Sequence, residues 1–251
     1  MEQTVCTAAF WRGGEKIDLY GLAPEEVRYL SVTGERCVEL SFLTEYPNLE
    51  RLTLNGKFEG TEMLAKLPRL EWLSLWLSSP SDWNGISLQS LRGLDLRGER
   101  NGDVTPLMSG ITYLHLEEMR KIEDITPLLT PAKHLQKLYL QSLPSLRVLP
   151  EPEPFHDLYA LKLYELHKLD DLSALSRSRL RYFAASLIAD KLSGGALAKA
   201  VLDIPTLERA ALRLVDRSER RYNAIYKAFS DARAAGLLDD EISNMTTWLS
   251  L

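Results

Sequence analysis

Ser74, Asp95 and His115 have the residue types of a charge-relay triad and stand 21 and 20 residues apart. A triad needs its imidazole between nucleophile and acid. At this even spacing the aspartate takes the middle place. If the spacing is that of neighbouring strands, Ser74 stands about 10 Å from His115, two strand separations. His134, His156 and His167 lack the spacing of metal ligands. Gly13-Gly14 and Gly194-Gly195 lack the lysine-serine/threonine or helix-opening context of a phosphate loop. Cys6 and Cys37 are the only cysteines, which excludes a disulfide scaffold and a four-cysteine zinc site, and neither carries a nucleophile signature. The residues therefore predict no catalytic group, no metal and no cofactor.

Composition points elsewhere. Leucine supplies 48 of the 251 residues, against 9 Ile and 8 Val, whereas the strands of an ordinary parallel sheet are rich in Val and Ile. The leucines are spaced. An apolar-x-x-apolar-x-apolar pattern reads Val27-Leu30-Val32, Leu49-Leu52-Leu54, Leu70-Leu73-Leu75 and Leu91-Leu94-Leu96. It continues as Ile111-Leu114-Leu116, Leu135-Leu138-Leu140, Leu158-Leu161-Leu163 and Leu180-Phe183-Ala185, with a ninth copy at Leu207-Ala210-Leu212. Steps between the first eight copies are 20 to 24 residues. Amphipathic helices would place apolar residues at i, i+3, i+4 and i+7. Here they fall at i, i+3 and i+5, so the last pair alternates as in a short half-buried strand. A single coil cannot bury its own leucines, so coils must stack.

The pattern and its period resemble the leucine-rich repeat family. "IEDITPLL" (122–129) and "LDDLSAL" (169–175) resemble the returning arm of internalin-type repeats. The resemblance implies an α/β solenoid: a horseshoe with a curved parallel sheet and a concave binding face. There is a departure. The family's asparagine, three residues after the last strand leucine, is replaced by Lys57, Ser78, Glu99, Met119, Leu143 and Leu166, so less regular coils are expected. The expected organisation is an N-terminal β cap (1–24), a solenoid of about nine coils (25–215) and a C-terminal helical cap (216–251). The N-terminal cap reads as a hairpin of Thr4–Trp11 and Lys16–Tyr20. Residues 194–203 read as an outer helix. Ser218 to Ala235 reads as a longer helix stopped by Gly236, with Tyr222, Ile225, Tyr226 and Phe229 on one face.

Charge and hydropathy narrow the partners. Thirty basic and 35 acidic residues give a net charge of -5, which argues against nucleic acid as ligand. The basic residues Arg217, Arg220, Arg221, Lys227 and Arg233 on the last long helix read as a solvated face. No stretch approaches the roughly 18 apolar residues of a membrane span, and the N-terminus lacks the form of a signal peptide. The expectation is a monomeric, cytoplasmic protein that binds neither membrane nor nucleic acid.

Residues between and after the strand leucines face the open side of the sheet. They form three columns. The first is Tyr29, Arg51, Trp72, Gly93, Tyr113, Lys137, Ala160 and Tyr182. The second is Ser31, Thr53, Ser74, Asp95, His115, Tyr139, Lys162 and Ala184. The third is Thr33, Asn55, Trp76, Arg97, Glu117, Gln141, Tyr164 and Ser186. Seven of these 24 are Tyr or Trp, where the chain's 8% aromatic content would place about two. Exposed Tyr, Trp and Arg are what interfaces use as anchors. The expected partner-binding residues are Tyr29, Arg51, Trp72, Trp76, Gly93, Asp95, Arg97, Tyr113, His115, Glu117, Lys137, Tyr139, Lys162, Tyr164 and Tyr182. The sharpest expectation is a slot floored by Gly93 and walled by Trp72 and Tyr113, about 10 Å apart. The function so read is a non-catalytic protein-protein interaction module, an adaptor or scaffold. The alternatives are an inhibitor, such as an immunity protein that covers a toxin's active site, and, more distantly, an enzyme on a repeat scaffold.

Overall fold

The computed structural model describes residues 8–11, 19, 21–80, 83–98, 103–152, 155–189, 191–212 and 219–251. Ten strands follow one another in the sheet in chain order. They are β1 (Ala8–Trp11), β2 (Tyr29–Glu39), β3 (Arg51–Glu59), β4 (Trp72–Pro80), β5 (Gly93–Arg97), β6 (Tyr113–Glu117), β7 (Lys137–Gln141), β8 (Ala160–Leu166), β9 (Tyr182–Ile188) and β10 (Arg209–Ala211). The helices are α1 (Thr126–Leu129), α2 (Gly194–Leu202), α3 (Glu219–Asp231) and α4 (Met245–Ser250). The chain divides into two compact units, 1–114 and 115–251.

The leucine register places the strands. In the first unit Tyr29, Arg51, Trp72 and Gly93 pair in succession, as do Leu30, Leu52, Leu73 and Leu94, all in parallel. In the second unit Lys137, Ala160, Tyr182 and Arg209 do the same. Of the 24 apolar slots in the first eight copies, all but Leu158 are buried. The pattern therefore marks inward positions, and the fold is a leucine-rich-repeat solenoid of stacked parallel coils.

Three return arms are short helical turns, each preceded by an aspartate that bonds the amide two residues on. Asp103 Oδ1 accepts from the Thr105 amide at 3.0 Å, Asp124 from Thr126 at 2.8 Å and Asp171 from Ser173 at 2.8 Å. A carboxylate in this place satisfies amides that the short turn leaves open. The Thr105 hydroxyl and then its amide hold the Asp103 carboxyl below the usual carboxylate range, and the Ser173 amide and then its hydroxyl do the same for Asp171. "DVTPLM" (103–108) is thus a third copy of the arm seen at 122–129 and 169–175.

The two units leave their strands differently. β2, β3 and β4 run on for 9 to 11 residues, with register shifts between Gly34 and Val38 and between Asn55 and Lys57. Gly56 stands at φ 124, and a Cβ there would come 2.2 Å from the Gly34 carbonyl oxygen. Only glycine lets the two backbones approach so closely. In the second unit the chain turns at the equivalent place in the left-handed conformation without glycine: Glu118, Ser142, Glu165 and Leu187 have φ of 56, 52, 53 and 54. Met119, Leu143 and Leu166 occupy the asparagine places there and are buried. In those coils apolar packing stands where the family uses an amide ladder.

At the start of the chain, β1 pairs in parallel with β2, Ala8 opposite Tyr29. Most of the expected hairpin's second arm lies outside the described residues. Near the other end, the Ser193 hydroxyl accepts from the Ala196 amide at 3.2 Å and caps α2. Gly194 lets α3 sit close, since a Cβ there would meet the Arg221 carbonyl oxygen at 2.5 Å. α3 ends at Asp231, earlier than expected, and the stop is Arg233 at φ 57 rather than Gly236. The Ala234 amide donates to the Phe229 carbonyl at 2.8 Å, the closing bond of a left-handed helix end. Ile225 and Phe229 are buried, while Tyr226 is exposed. Arg221, expected to be solvated, instead donates to the carbonyls of Ile188 and Ala189.

The chain then rounds the edge of the sheet. Leu238 forms a parallel bridge to Ala210 in β10, and the Asp239 amide donates to the Ala210 carbonyl at 2.9 Å. A short turn at Asp240–Ser243 and α4 follow. Asn244 caps α4 by accepting from the Thr246 amide at 2.9 Å.

Candidate functional site: the open face of the sheet

The face opposite the leucines carries the three predicted columns, and the strand pairing shows their register along β2–β5 and along β7–β9. What the side chains do there differs by unit.

In the first unit, the Tyr29 hydroxyl lies 3.3 Å from the Thr53 hydroxyl oxygen. The Arg51 guanidinium stands 5.8 Å from the centre of the Trp72 ring, a cation–π distance. Trp76 donates from Nε1 to Asp95 Oδ2 at 3.3 Å and is 36% exposed. Arg51 is exposed, and Tyr29, Trp72, Asp95 and Arg97 are half-buried. These groups make a polar-aromatic surface held in place by ring and hydrogen-bond contacts.

The slot at Gly93 is closed. Trp72 and Tyr113 lean together across it, with ring centres 4.7 Å apart and planes tilted by 35°. A Cβ on Gly93 would meet Trp72 Cε3 at 2.2 Å, so the ring fills the space that the missing side chain leaves. Aromatic rings gain more from each other than from an open, hydrated gap. Tyr113 is consequently only 6% exposed. Gly93 serves the ring pair rather than a ligand.

In the second unit, His115 and Tyr139 stack at 4.2 Å with planes 5° apart. Gln141 donates from Nε2 to Glu117 Oε1 at 2.8 Å. The Lys162 ammonium sits 4.8 Å from the Tyr139 ring centre and 5.9 Å from that of Trp248. Lys162 also donates to the Ser243 carbonyl at 2.7 Å and to Met245 Sδ at 3.2 Å. Lys137 donates to the Leu249 carbonyl at 2.8 Å and to that of Trp248 at 3.4 Å. Residues 239–251 therefore lie on this part of the face. They leave Tyr139 and Lys162 each 7% exposed, and Ile242 and Trp248 fully buried. Burial pushes the Lys162 pKa down to about 8 and lowers that of Lys137, because removal from water disfavours the charged form.

Tyr164 is half-buried on β8. Tyr182 meets Tyr159 edge to face at 6.1 Å, with Arg181 and Arg209 at 5.4 and 5.8 Å from its ring. Sequence reasoning assigned every face position but did not find Trp248, Ile242 or Met245 among the face's neighbours. The one available signal was Asn244 ahead of an apolar-spaced Met245-Trp248-Leu249, a helix start too short to place by pattern.

Among the described residues, no group of three or more His, Cys, Asp or Glu side chains could hold a metal ion, and no helix is long and apolar enough to cross a membrane.

No family model matches the chain, and no curated protein matches it. Among solved structures it is similar to an internalin from Listeria monocytogenes, at 14% identity. The match covers 81% of this chain and 79% of that one, with a TM-score of 0.34. At that identity and score, neither fold nor function is drawn from the likeness; the fold rests on the register of the strands.

Proposed function

We propose that this protein is a non-catalytic binding module whose partner is another protein, and that the partner docks on the open face of the first unit. The carrying observation is the cluster of Trp76, Trp72, Arg51 and Tyr29, which combines an exposed indole with a ring-backed guanidinium. Tryptophan, tyrosine and arginine supply most hot-spot energy in protein interfaces. Here their positions are set by strands and by the Trp76–Asp95 hydrogen bond, so little ordering cost is due on binding. Asp95 and Arg97 add charges of both signs, which select a partner with the opposite arrangement.

Affinity capture from lysate with the intact chain and with a Trp76→Ala, Arg51→Ala double variant tests this. The expected result is a stoichiometric protein retained by the first and lost with the second. Equal recovery by both, with the variant folded, removes the first-unit face from consideration.

A further inference from the structure

The second unit's face already holds a ligand of a kind, and its fit is imperfect. Trp248 is fully buried, yet among the described residues its indole Nε1 has no hydrogen-bond partner. A buried donor without an acceptor weakens whatever is seated that way. Two ammonium groups lie under the segment. Among the described residues neither Lys137 nor Lys162 meets a carboxylate; carbonyl oxygens and one thioether are their hydrogen-bond partners. Carbonyls at the end of α4 suit a cation, but a buried ammonium gains more from a carboxylate. Within 239–251 only Ile242 and Trp248 are buried, and most of the rest is exposed. Two buried side chains, two lysine ammoniums and the Asp239 contacts hold a stretch whose other side chains are mostly exposed, and stretches with few buried apolar groups open locally.

We propose that the open face of β7–β9 is a docking surface for a short helical segment of a partner protein that presents an aromatic ring beside a carboxylate, and that residues 239–251 are its internal competitor. This rests on the reading of the chain as a protein-binding module but concerns a different part of the face. The seated segment shows what fits: one ring beside the Lys162 ammonium, which also faces Tyr139, with helix-end carbonyls on Lys137. A partner adds the carboxylate that Met245 lacks. The mode is that of a helix laid on a complementary surface. The observed state is the self-occupied one, and access to Lys137 and Lys162 requires the segment to lift.

The test uses the 251-residue chain in three forms: unsubstituted, Trp248→Ala and Met245→Glu. Glutamate places a carboxylate where the Met245 sulfur now touches Lys162. Acylation of Lys162 by a water-soluble active ester, read by mass spectrometry, is expected to rise about ten-fold in Trp248→Ala and to fall several-fold in Met245→Glu. A labelled peptide of residues 239–251 should bind Trp248→Ala about ten-fold more tightly than the unsubstituted chain. The same peptide carrying Met245→Glu should bind more tightly still.

Equal Lys162 labelling in all three folded proteins would overturn the competitor. A Met245→Glu peptide no tighter than its parent would overturn the assigned partner chemistry. Should Trp248→Ala not fold, hydrogen exchange on the unsubstituted chain decides. Amides of 239–251 must exchange before those of β8; exchange together with β8 marks a permanent part of the core and ends the proposal. None of these readouts involves Trp76 or Arg51, so they stand or fall apart from the first-unit reading.

Discussion

The two units present the same arithmetic on their open faces and put it to different use. In each, a residue between two buried leucines points away from the core: Ser74 and Asp95 in one, Tyr139 and Lys162 in the other. In the first unit the face keeps Trp76 and Arg51 in contact with solvent. In the second, Tyr139 and Lys162 lie beneath residues 239–251 and lose nearly all exposure. Alternation tells which side of a strand a residue occupies. It does not tell whether that side is wet, because a distant segment can cover it.

The sharpest division between core and cover comes from two aromatic truncations. Phe183→Ala, in the leucine column of β9, should cost about 3–5 kcal/mol in urea unfolding, the usual range for a fully buried ring. Trp248→Ala removes a larger ring that is equally buried, yet should cost clearly less, since 239–251 can detach and leave the coils intact. Equal losses would place the segment in the cooperative core and erase the contrast. Next is Gly93→Ala, expected to cost about 1–3 kcal/mol by forcing the Trp72 ring off Tyr113, with a change in tryptophan emission. A neutral result would mean that the ring pair yields freely.

Lys162 supplies a pH test specific to the second unit. Its folded pKa, about 8, lies below the ordinary lysine value, so between those two values the unfolded chain binds the extra proton. Stability from this group therefore rises with pH across that window and is flat below it. Relative to Lys162→Met, the chain should gain on the order of 2 kcal/mol between pH 7.5 and 9.5, measured by urea midpoints. Parallel curves for the two proteins would show Lys162 to be hydrated. The smallest expected effect belongs to Trp76→Ala, whose stability should stay within about 0.5 kcal/mol of the parent while partner binding weakens about ten-fold or more. A large loss of stability would recast Trp76 as structural.

Several features were legible because they are local. The spacing of leucines located the strands, whereas the close approaches at Gly56 and Gly93 emerged only from the structure. The arms at 122–129 and 169–175 were legible as repeated strings, but the aspartate bonds that set them, and the further copy at Asp103, needed the structure. Other features were not legible. The Gly93 slot was inferred from backbone spacing alone, and rings that can lean do not respect that spacing. The end of α3 at Arg233 was hidden because a left-handed arginine leaves no compositional mark, whereas Gly236 suggested a stop that the chain does not use.

By itself, then, the sequence determined the repeat, the inward leucines and the three outward columns. Those follow from short-range rules, since hydrophobic burial and strand alternation act over a few neighbouring positions. Only the tertiary structure decided that Trp72 and Tyr113 close on each other, and that Trp248 comes to rest over Lys162 from more than eighty residues downstream. Such long-range encounters depend on where the chain turns, and no period in the residues encodes them.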